Sequence, residues 1–279
     1  MLDTVQFDAF EELIVVETGT AAGVPFIAVA PDSGPRDDAP VVVGWHLMDA
    51  PRSEAAFAAA LPLAGLDAWR IYLGLPKMGA RLPAGGMDEL MALGYEDAVM
   101  LMHGPVNDEA AGEFDAALGA LRERFGIGGP LGLFGGSAGA GVALEVTTRR
   151  DDVTALVGVS PLIQLRPVVA TLGKLFGVDY RWGPESDAVA DRMDYVARVG
   201  KLGTTPTLLV VGAEDEPTAF LEPARDLVAG ADGPADLVVI DGMGHALAEE
   251  PGLEPAPQTP HAAEVDAHAV AWFRQHLGA

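Results

Sequence analysis

The 279-residue sequence contains no cysteine. This absence excludes disulfide bonds, thiolate metal ligands and a cysteine nucleophile. The sequence also has no apolar run approaching the ~18 continuous residues of a membrane span. The first ten residues, MLDTVQFDAF, have neither the basic start nor the apolar stretch of a secretory signal. We therefore expect a cytoplasmic protein with no membrane span.

Basic residues are scarce in this chain. It has 17 lysines and arginines against 41 acidic residues, which gives a formal charge of −24. Nucleic acids and anionic membrane surfaces are both bound by clustered cationic groups, so we expect neither as a partner. No G-x-G-x-x-G helix start, Walker loop, HExxH motif or paired metal-ligand spacing is present. The sequence therefore predicts no nucleotide, cofactor or metal.

Short apolar runs alternate with helical patterns along the whole chain, which is typical of β-α-β units around a mostly parallel sheet. We predict an α/β fold with eight strands, helices on both faces and one domain over residues 1–279. The first two runs are close enough to form an antiparallel hairpin at a sheet edge. The predicted strands are residues 13–16, 26–30, 41–45, 69–73, 131–134, 156–159, 207–211 and 237–240.

Two segments are too long for ordinary connections between elements. Residues 75–107 follow the fourth strand, and residues 162–203 follow the sixth. Open α/β sheets bind ligands at the carboxyl ends of their strands, so we interpret 162–203 as a small lid or cap; the alternative is a peripheral helical decoration. We expect a substrate pocket at the carboxyl ends of the strands, lined by His46, His103, Phe176 and Trp182.

The strongest motif is Gly135-Gly-Ser-Ala-Gly139, in which an apolar strand runs directly into a helix-compatible stretch. This is the G-x-S-x-G nucleophile elbow, in which a serine sits on a strained turn above the sheet. The flanking glycines let the strand and the helix approach each other closely. The motif predicts Ser137 as a nucleophile.

A nucleophilic serine needs a base, and the base needs a carboxylate that orients it. In this architecture the chain order is serine, acid, histidine. Asp215 follows the seventh predicted strand and His245 follows the eighth, so both would lie at the same sheet edge as Ser137. Rivals remain for both positions. They are Glu214 and Asp241 for the acid, and His46, His103, His261, His268 and His276 for the base.

The chain resembles the α/β-hydrolase superfamily from about Phe26 to the C-terminal helix. The resemblance is carried by GGSAG at 135–139, GAED at 212–215 and GMGH at 242–245. Residues 191–198 are also similar to a segment of prolyl-oligopeptidase-like and dienelactone-hydrolase-like members. The resemblance implies the α/β-hydrolase fold, with Ser137 as nucleophile, His245 as general base and then acid, and Asp215 as the orienting acid.

The same resemblance implies an oxyanion hole. One donor is the backbone N–H of Ala138, and the other comes from the loop after the third strand. That loop reads His46-Leu-Met48, where many relatives have His-Gly-x. Met48 or Leu47 therefore supplies the second N–H.

These features together predict a serine hydrolase that acts on a small-molecule ester, thioester or lactone through an acyl-enzyme. Two rival interpretations remain open. One is an acyltransferase or a short-peptide hydrolase on the same fold. The other is a hydrolase-fold binding protein without catalysis.

Overall fold

Eight strands form one open sheet in the computed structural model, which describes residues 15–278 of the chain and the side chains of residues 17–278. The strand order across the sheet is β1-β2-β4-β3-β5-β6-β7-β8. The strands are β1 (Val15–Ala21), β2 (Val24–Val29), β3 (Val41–Trp45), β4 (Trp69–Leu73), β5 (Leu131–Gly136), β6 (Val153–Val159), β7 (Thr207–Gly212) and β8 (Ala235–Ile240).

The sheet is parallel except at β2, which is antiparallel to both β1 and β4. The predicted eight-stranded, mostly parallel sheet is therefore confirmed. The first strand was placed too early: β1 continues to Ala21, and the hairpin turn is the two residues Ala22 and Gly23. Residues 13 and 14 of that predicted strand lie outside the described part of the chain.

Eight α-helices accompany the strands within residues 15–278. They are α1 (Glu54–Ala60), α2 (Gly86–Asp97), α3 (Gly104–Phe125), α4 (Ala138–Arg149), α5 (Leu165–Phe176), α6 (Pro184–Arg192), α7 (Glu222–Gly230) and α8 (Pro260–Leu277). A π-helical segment, Ala98–His103, joins α2 to α3. Ser53 caps α1, because its side chain accepts a hydrogen bond from the N–H of Ala56 at 3.1 Å.

Alternate side chains of each central strand enter two separate cores, one on each face of the sheet. In β3, Val41 and Val43 pack into the core that contains residues of α3, α4 and α7. Val42 packs into the opposite core, with residues of α1 and α8. This period of two follows from the geometry of a strand that is buried on both sides. Helices therefore cover both faces, as predicted.

The two long insertions rise from the carboxyl edge of the sheet. Residues 75–107 contain α2 and the π-helical segment, and residues 162–203 contain α5 and α6. The strands β5, β7 and β8 also end at this edge, since they are parallel members of one sheet. Among the described residues, no helix is both long and apolar enough to cross a membrane.

Candidate active site

Ser137 lies on the turn between β5 and α4, in a backbone conformation that side chains rarely adopt. Its φ is 48° and its ψ is −115°. Two neighbouring segments hold it there: its N–H donates to the carbonyl of Val159 at 2.9 Å, and its carbonyl accepts from the N–H of Leu162 at 3.1 Å. Strain of this kind persists only where surrounding structure fixes the backbone, and it concentrates at functional sites.

The two glycines that flank the serine are required by close backbone contacts. A Cβ at Gly135 would lie 2.4 Å from the carbonyl carbon of Gly139. A Cβ at Gly139 would lie 2.2 Å from the carbonyl oxygen of Trp45, at the end of β3. The turn that carries Ser137 therefore packs directly against the loop that follows β3.

Ser137, His245 and Asp215 form a continuous hydrogen-bonded chain. The Oγ of Ser137 lies 2.9 Å from Nε2 of His245, and Nδ1 of the same ring lies 2.8 Å from Oδ2 of Asp215. Asp215 is buried, and Ser137 is 9% exposed. The other oxygen of Asp215, Oδ1, accepts the N–H of Glu216 at 2.9 Å. The carboxylate is therefore held at both oxygens and aimed at the ring.

Backbone bonds join the loops that carry Asp215 and His245. The N–H of Ala213 donates to the carbonyl of Ile240, and the N–H of Glu214 donates to the carbonyl of Met243, each at 2.9 Å. The ring of Phe220 packs on His245 with centroids 4.4 Å apart. The imidazole is thus positioned by two loops and by one aromatic neighbour.

The rival acids and bases take no part in this hydrogen-bonded chain. Glu214 and Asp241 are exposed, and Asp215 is the acid bonded to Nδ1 of His245. His261, His268 and His276 lie on α8. Among the described histidines, His245 is the one whose ring is hydrogen-bonded to Ser137.

His46 is fully buried beneath the site and does not line the cavity. Its Nε2 accepts the N–H of Leu75 at 3.1 Å, so the ring proton lies on Nδ1 and is donated to the carbonyl of Leu47 at 2.6 Å. Burial lowers the pKa of His46 to about 4, against the opposing effect of the bond to Leu47. The expectation that His46 lines the substrate pocket is therefore wrong, because backbone groups surround both of its nitrogens.

The loop after β3 turns two consecutive residues in different directions. Leu47 is fully buried, and its side chain packs against the position of Gly136 in the elbow. Met48 lines the cavity that contains Ser137. In a planar trans peptide the C=O and the next N–H point in opposite directions. Since the carbonyl of Leu47 faces His46, the N–H of Met48 points away from that ring.

A cavity of about 340 Å³ opens above Ser137 and His245. Its walls come from α2, the π-helical segment and α5. The lining is mostly apolar: Met48, Met87, Leu90, Met91, Met102, Val168, Leu172, Leu175, Phe176 and Phe220. The structure places His103 and Phe176 in this wall. Trp182 lies outside this wall. Its ring centroid is 4.8 Å from that of Tyr180 and 5.2 Å from the guanidinium carbon of Arg166. The prediction that Trp182 lines the pocket is therefore wrong.

His103 ends the π-helical segment at the cavity wall. It is 7% exposed, and neither ring nitrogen has a hydrogen-bond partner among the described residues. Burial lowers the pKa of His103 to about 4, and the nearby charge of Asp49 opposes that shift. The ring is therefore neutral at neutral pH.

Three charged residues of the cavity wall were not predicted from the sequence. Asp49 Oδ2 lies 3.6 Å from Nε2 of His245, and Arg52 and Glu216 also line the cavity. Asp49 could have been predicted to lie near the site, because it directly follows Leu47 and Met48 in the loop after β3. Nothing in the sequence distinguishes Arg52 or Glu216 from ordinary surface charges. No group of three or more His, Asp or Glu side chains in the described part of the chain is arranged to hold a metal ion.

No family model matches the sequence, and no curated protein matches it significantly. Solved structures do resemble it at low identity. The acetyl xylan esterase from Paenibacillus sp. R4 has a TM-score of 0.63 at 16% identity, covering 97% of this chain and 87% of its own. The dienelactone hydrolase from Anabaena variabilis has a TM-score of 0.55 at 18%, covering 91% and 92%. The monoacylglycerol lipase from Paleococcus ferrophilus has a TM-score of 0.58 at 18%, covering 91% and 99%. The topology and these neighbours agree: the chain has the α/β-hydrolase fold.

Proposed function

We propose that the chain is a serine hydrolase that cleaves a carboxylic ester, with thioesters and lactones as related substrates, through an acyl-enzyme. The observation that carries the proposal is the hydrogen-bonded chain from Ser137 through His245 to Asp215. A serine hydroxyl is a weak nucleophile until a neighbouring base takes its proton. The esterase and the lipase among the structural neighbours support the choice of an ester bond.

In the first half-reaction, Ser137 Oγ attacks the ester carbonyl while its proton passes to Nε2 of His245. The tetrahedral intermediate then collapses, the bond to the alcohol oxygen breaks, and Nε2 gives the proton to that oxygen. In the second half-reaction, His245 takes a proton from water, and the hydroxide formed attacks the acyl-enzyme. The acid leaves, and the proton returns to Ser137.

Asp215 has the role of fixing the ring of His245. Because its Oδ2 accepts from Nδ1 at 2.8 Å, the lone pair of Nε2 faces Ser137. The carboxylate also stabilises the imidazolium that forms during proton transfer. We expect Asp215→Asn to lower kcat by about 10⁴-fold, since the amide favours the wrong tautomer.

The oxyanion of the intermediate needs two N–H donors. We assign them to Ala138, at the first turn of α4, and to Met48. The peptide between Leu47 and Met48 is turned so that its carbonyl faces His46, which directs the N–H of Met48 to the opposite side. Removal of one such donor typically lowers turnover by about 10²–10³-fold.

The cavity walls suit an apolar acyl chain. The lining is largely methionine, leucine and aromatic, which is the usual character of a small-molecule site. The segment 162–203 supplies Val168, Leu172 and Phe176 to this wall, and we propose that it acts as the lid over the acyl group.

The test is hydrolysis of p-nitrophenyl esters of increasing chain length by the parent and by Ser137→Ala. We expect Ser137→Ala to lose about 10⁴-fold or more in kcat. A matched control is Ser160→Ala, because Ser160 is also buried and also has a positive φ, of 41°, but its Oγ is bonded to no described residue. Equal activity of Ser137→Ala and the parent contradicts the proposal. Transfer of the acyl group to added alcohols in preference to water indicates an acyltransferase instead.

A further inference from the structure

The charges around the nucleophile are unbalanced. Asp49, Asp215 and Glu216 all line the cavity. Among the residues described at the cavity wall, Arg52 is the one permanently cationic side chain. The chain as a whole carries a formal charge of −24, so the wider field has the same sign.

Arg52 is already neutralised by its own neighbours. Its two terminal nitrogens bind the carboxylate of Glu250 at 2.5 and 3.0 Å. Its Nε donates to the carbonyl of Met48 at 3.0 Å, and Nη1 donates to the carbonyl of Pro251 at 2.9 Å. The guanidinium therefore has little capacity to bind a carboxylate on a substrate.

Asp49 lies beside the nitrogen of His245 that gives a proton to the leaving alcohol in the proposed reaction. Its Oδ2 is 3.6 Å from Nε2 of His245, and that nitrogen is 2.9 Å from Ser137 Oγ. A leaving oxygen that takes the proton from Nε2 must come within about 3 Å of it. Substituents on that oxygen therefore lie within a few ångströms of the Asp49 carboxylate, whereas the acyl chain enters the apolar cavity.

We propose that Asp49 makes this site selective for the charge of the alcohol part of its substrate. Esters of neutral or cationic alcohols are accepted, and esters whose alcohol carries a carboxylate are rejected. The inference rests on the proposed function, because it requires an ester bound between Ser137 and the cavity. Asp49 is about half exposed, and its Oδ1 lies 3.6 Å from Nη2 of Arg52. Solvent and this ion pair both weaken the repulsion, but Glu250 shares the same guanidinium, so the three side chains keep a net negative charge. We expect an effect of about 10-fold at low ionic strength.

The experiment compares three butyrate esters that share one acyl group: the ester of glycolamide, the ester of glycolate, and butyrylcholine. These probes are neutral, anionic and cationic in the alcohol part. In the parent, we expect kcat/KM for the anionic ester to be about 10-fold below that of the neutral one, with the cationic ester at or above the neutral one. Salt at 1 M should bring both ratios, anionic to neutral and cationic to neutral, closer to one, because the screening length falls to about 3 Å.

Asp49→Asn removes the charge and keeps the shape, and Asp49→Ser is a second variant with a smaller side chain. Both should raise the ratio of kcat/KM for the anionic to the neutral ester by about 10-fold. Glu264→Gln is the matched control, since it removes one exposed negative charge on α8, away from the cavity lining, and should leave both ratios as in the parent.

Two results overturn the inference: equal kcat/KM for the three esters in the parent, or an unchanged anionic-to-neutral ratio in both Asp49 variants. These failures are distinct from failure of the proposed function. If Ser137→Ala hydrolyses all three esters like the parent, the acyl-enzyme mechanism itself is wrong.

Discussion

The imidazole of His46 donates from Nδ1 to the carbonyl oxygen of Leu47 at 2.6 Å, within the loop that follows β3. The N–H of Leu75, just beyond β4, binds the other nitrogen of the ring at 3.1 Å. The ring therefore links the loop after β3 to the first residues after β4, and it fixes the orientation of the peptide between Leu47 and Met48. This peptide contains the N–H of Met48, which we propose as an oxyanion donor.

His46→Phe should lower kcat with little change in KM. Phenylalanine fills the space but makes neither hydrogen bond, so the peptide between Leu47 and Met48 is free to rotate. We expect a loss of about 10–100-fold in kcat, below the full cost of a lost donor. His46→Gln, which can still donate and accept, should recover part of this loss. Both variants are compared per active site, by titration with a covalent inhibitor, which separates misfolding from slower chemistry. A parental kcat in His46→Phe contradicts this role.

His103 should make the protein less stable in acid. Its pKa in the folded chain is lowered to about 4, whereas the unfolded value is 6.5. Between these values the unfolded state binds more protons, so the free energy of unfolding falls as the pH is lowered. The contribution of this single group is about 3 kcal/mol from pH 7 to pH 4.

The variant His103→Phe isolates that contribution. Denaturant unfolding of the parent and the variant, measured from pH 7 to pH 4, should give a stability difference that shifts by about 3 kcal/mol in favour of the variant. The other titrating groups, including His46 and Asp266, are common to both proteins and cancel. A stability difference that is constant across this range contradicts the prediction.

Gly139→Ala should damage the turn that carries Ser137. The added Cβ would lie 2.2 Å from the carbonyl oxygen of Trp45, which is backbone and cannot rotate away. We expect loss of most activity together with destabilisation of several kcal/mol. The control is Gly112→Ala in α3, where the added Cβ meets nothing within 4 Å. That variant should gain about 0.5–1 kcal/mol in unfolding free energy and keep its kcat. Similar behaviour of the two variants would contradict this account of the elbow.

Leu172 should set the length of the acyl chain. It lies on α5 and lines the cavity of about 340 Å³. Leu172→Trp reduces that space, and we expect kcat/KM for p-nitrophenyl octanoate, relative to the acetate, to fall by about 10-fold or more. Leu172→Ala enlarges the space and should move the preference towards longer chains. An identical chain-length profile in the two variants would show that the acyl group lies elsewhere.

The central strands of the sheet could be predicted because they are buried on both faces. Such strands are continuous apolar runs bounded by glycine, proline or aspartate, and residues 207–211, between Pro206 and Gly212, are an example. The edge strand β1 was misplaced because Thr18 and Thr20 interrupt its apolar pattern. The first residues of α3 fall inside the predicted insertion 75–107, because Gly104 and Pro105 resemble a loop, although proline is well tolerated in the first turn of a helix.

The candidate site could be predicted only in part. Ser137, Asp215 and His245 each follow a parallel strand, so one sheet edge had to bring them close together. The environment of His46 depends on the N–H of Leu75, 29 positions away, which no local pattern encodes. The place of Asp49 beside His245 likewise depends on how two separate loops meet.

The most direct measurement is reaction of the folded protein with a fluorophosphonate probe, followed by mass spectrometry of its peptides. We expect one adduct, on Ser137, present in the parent and in Ser160→Ala and absent from Ser137→Ala. Folded parent protein that stays unlabelled, or that is labelled at a residue other than Ser137, would contradict the central claim that His245 and Asp215 activate this serine.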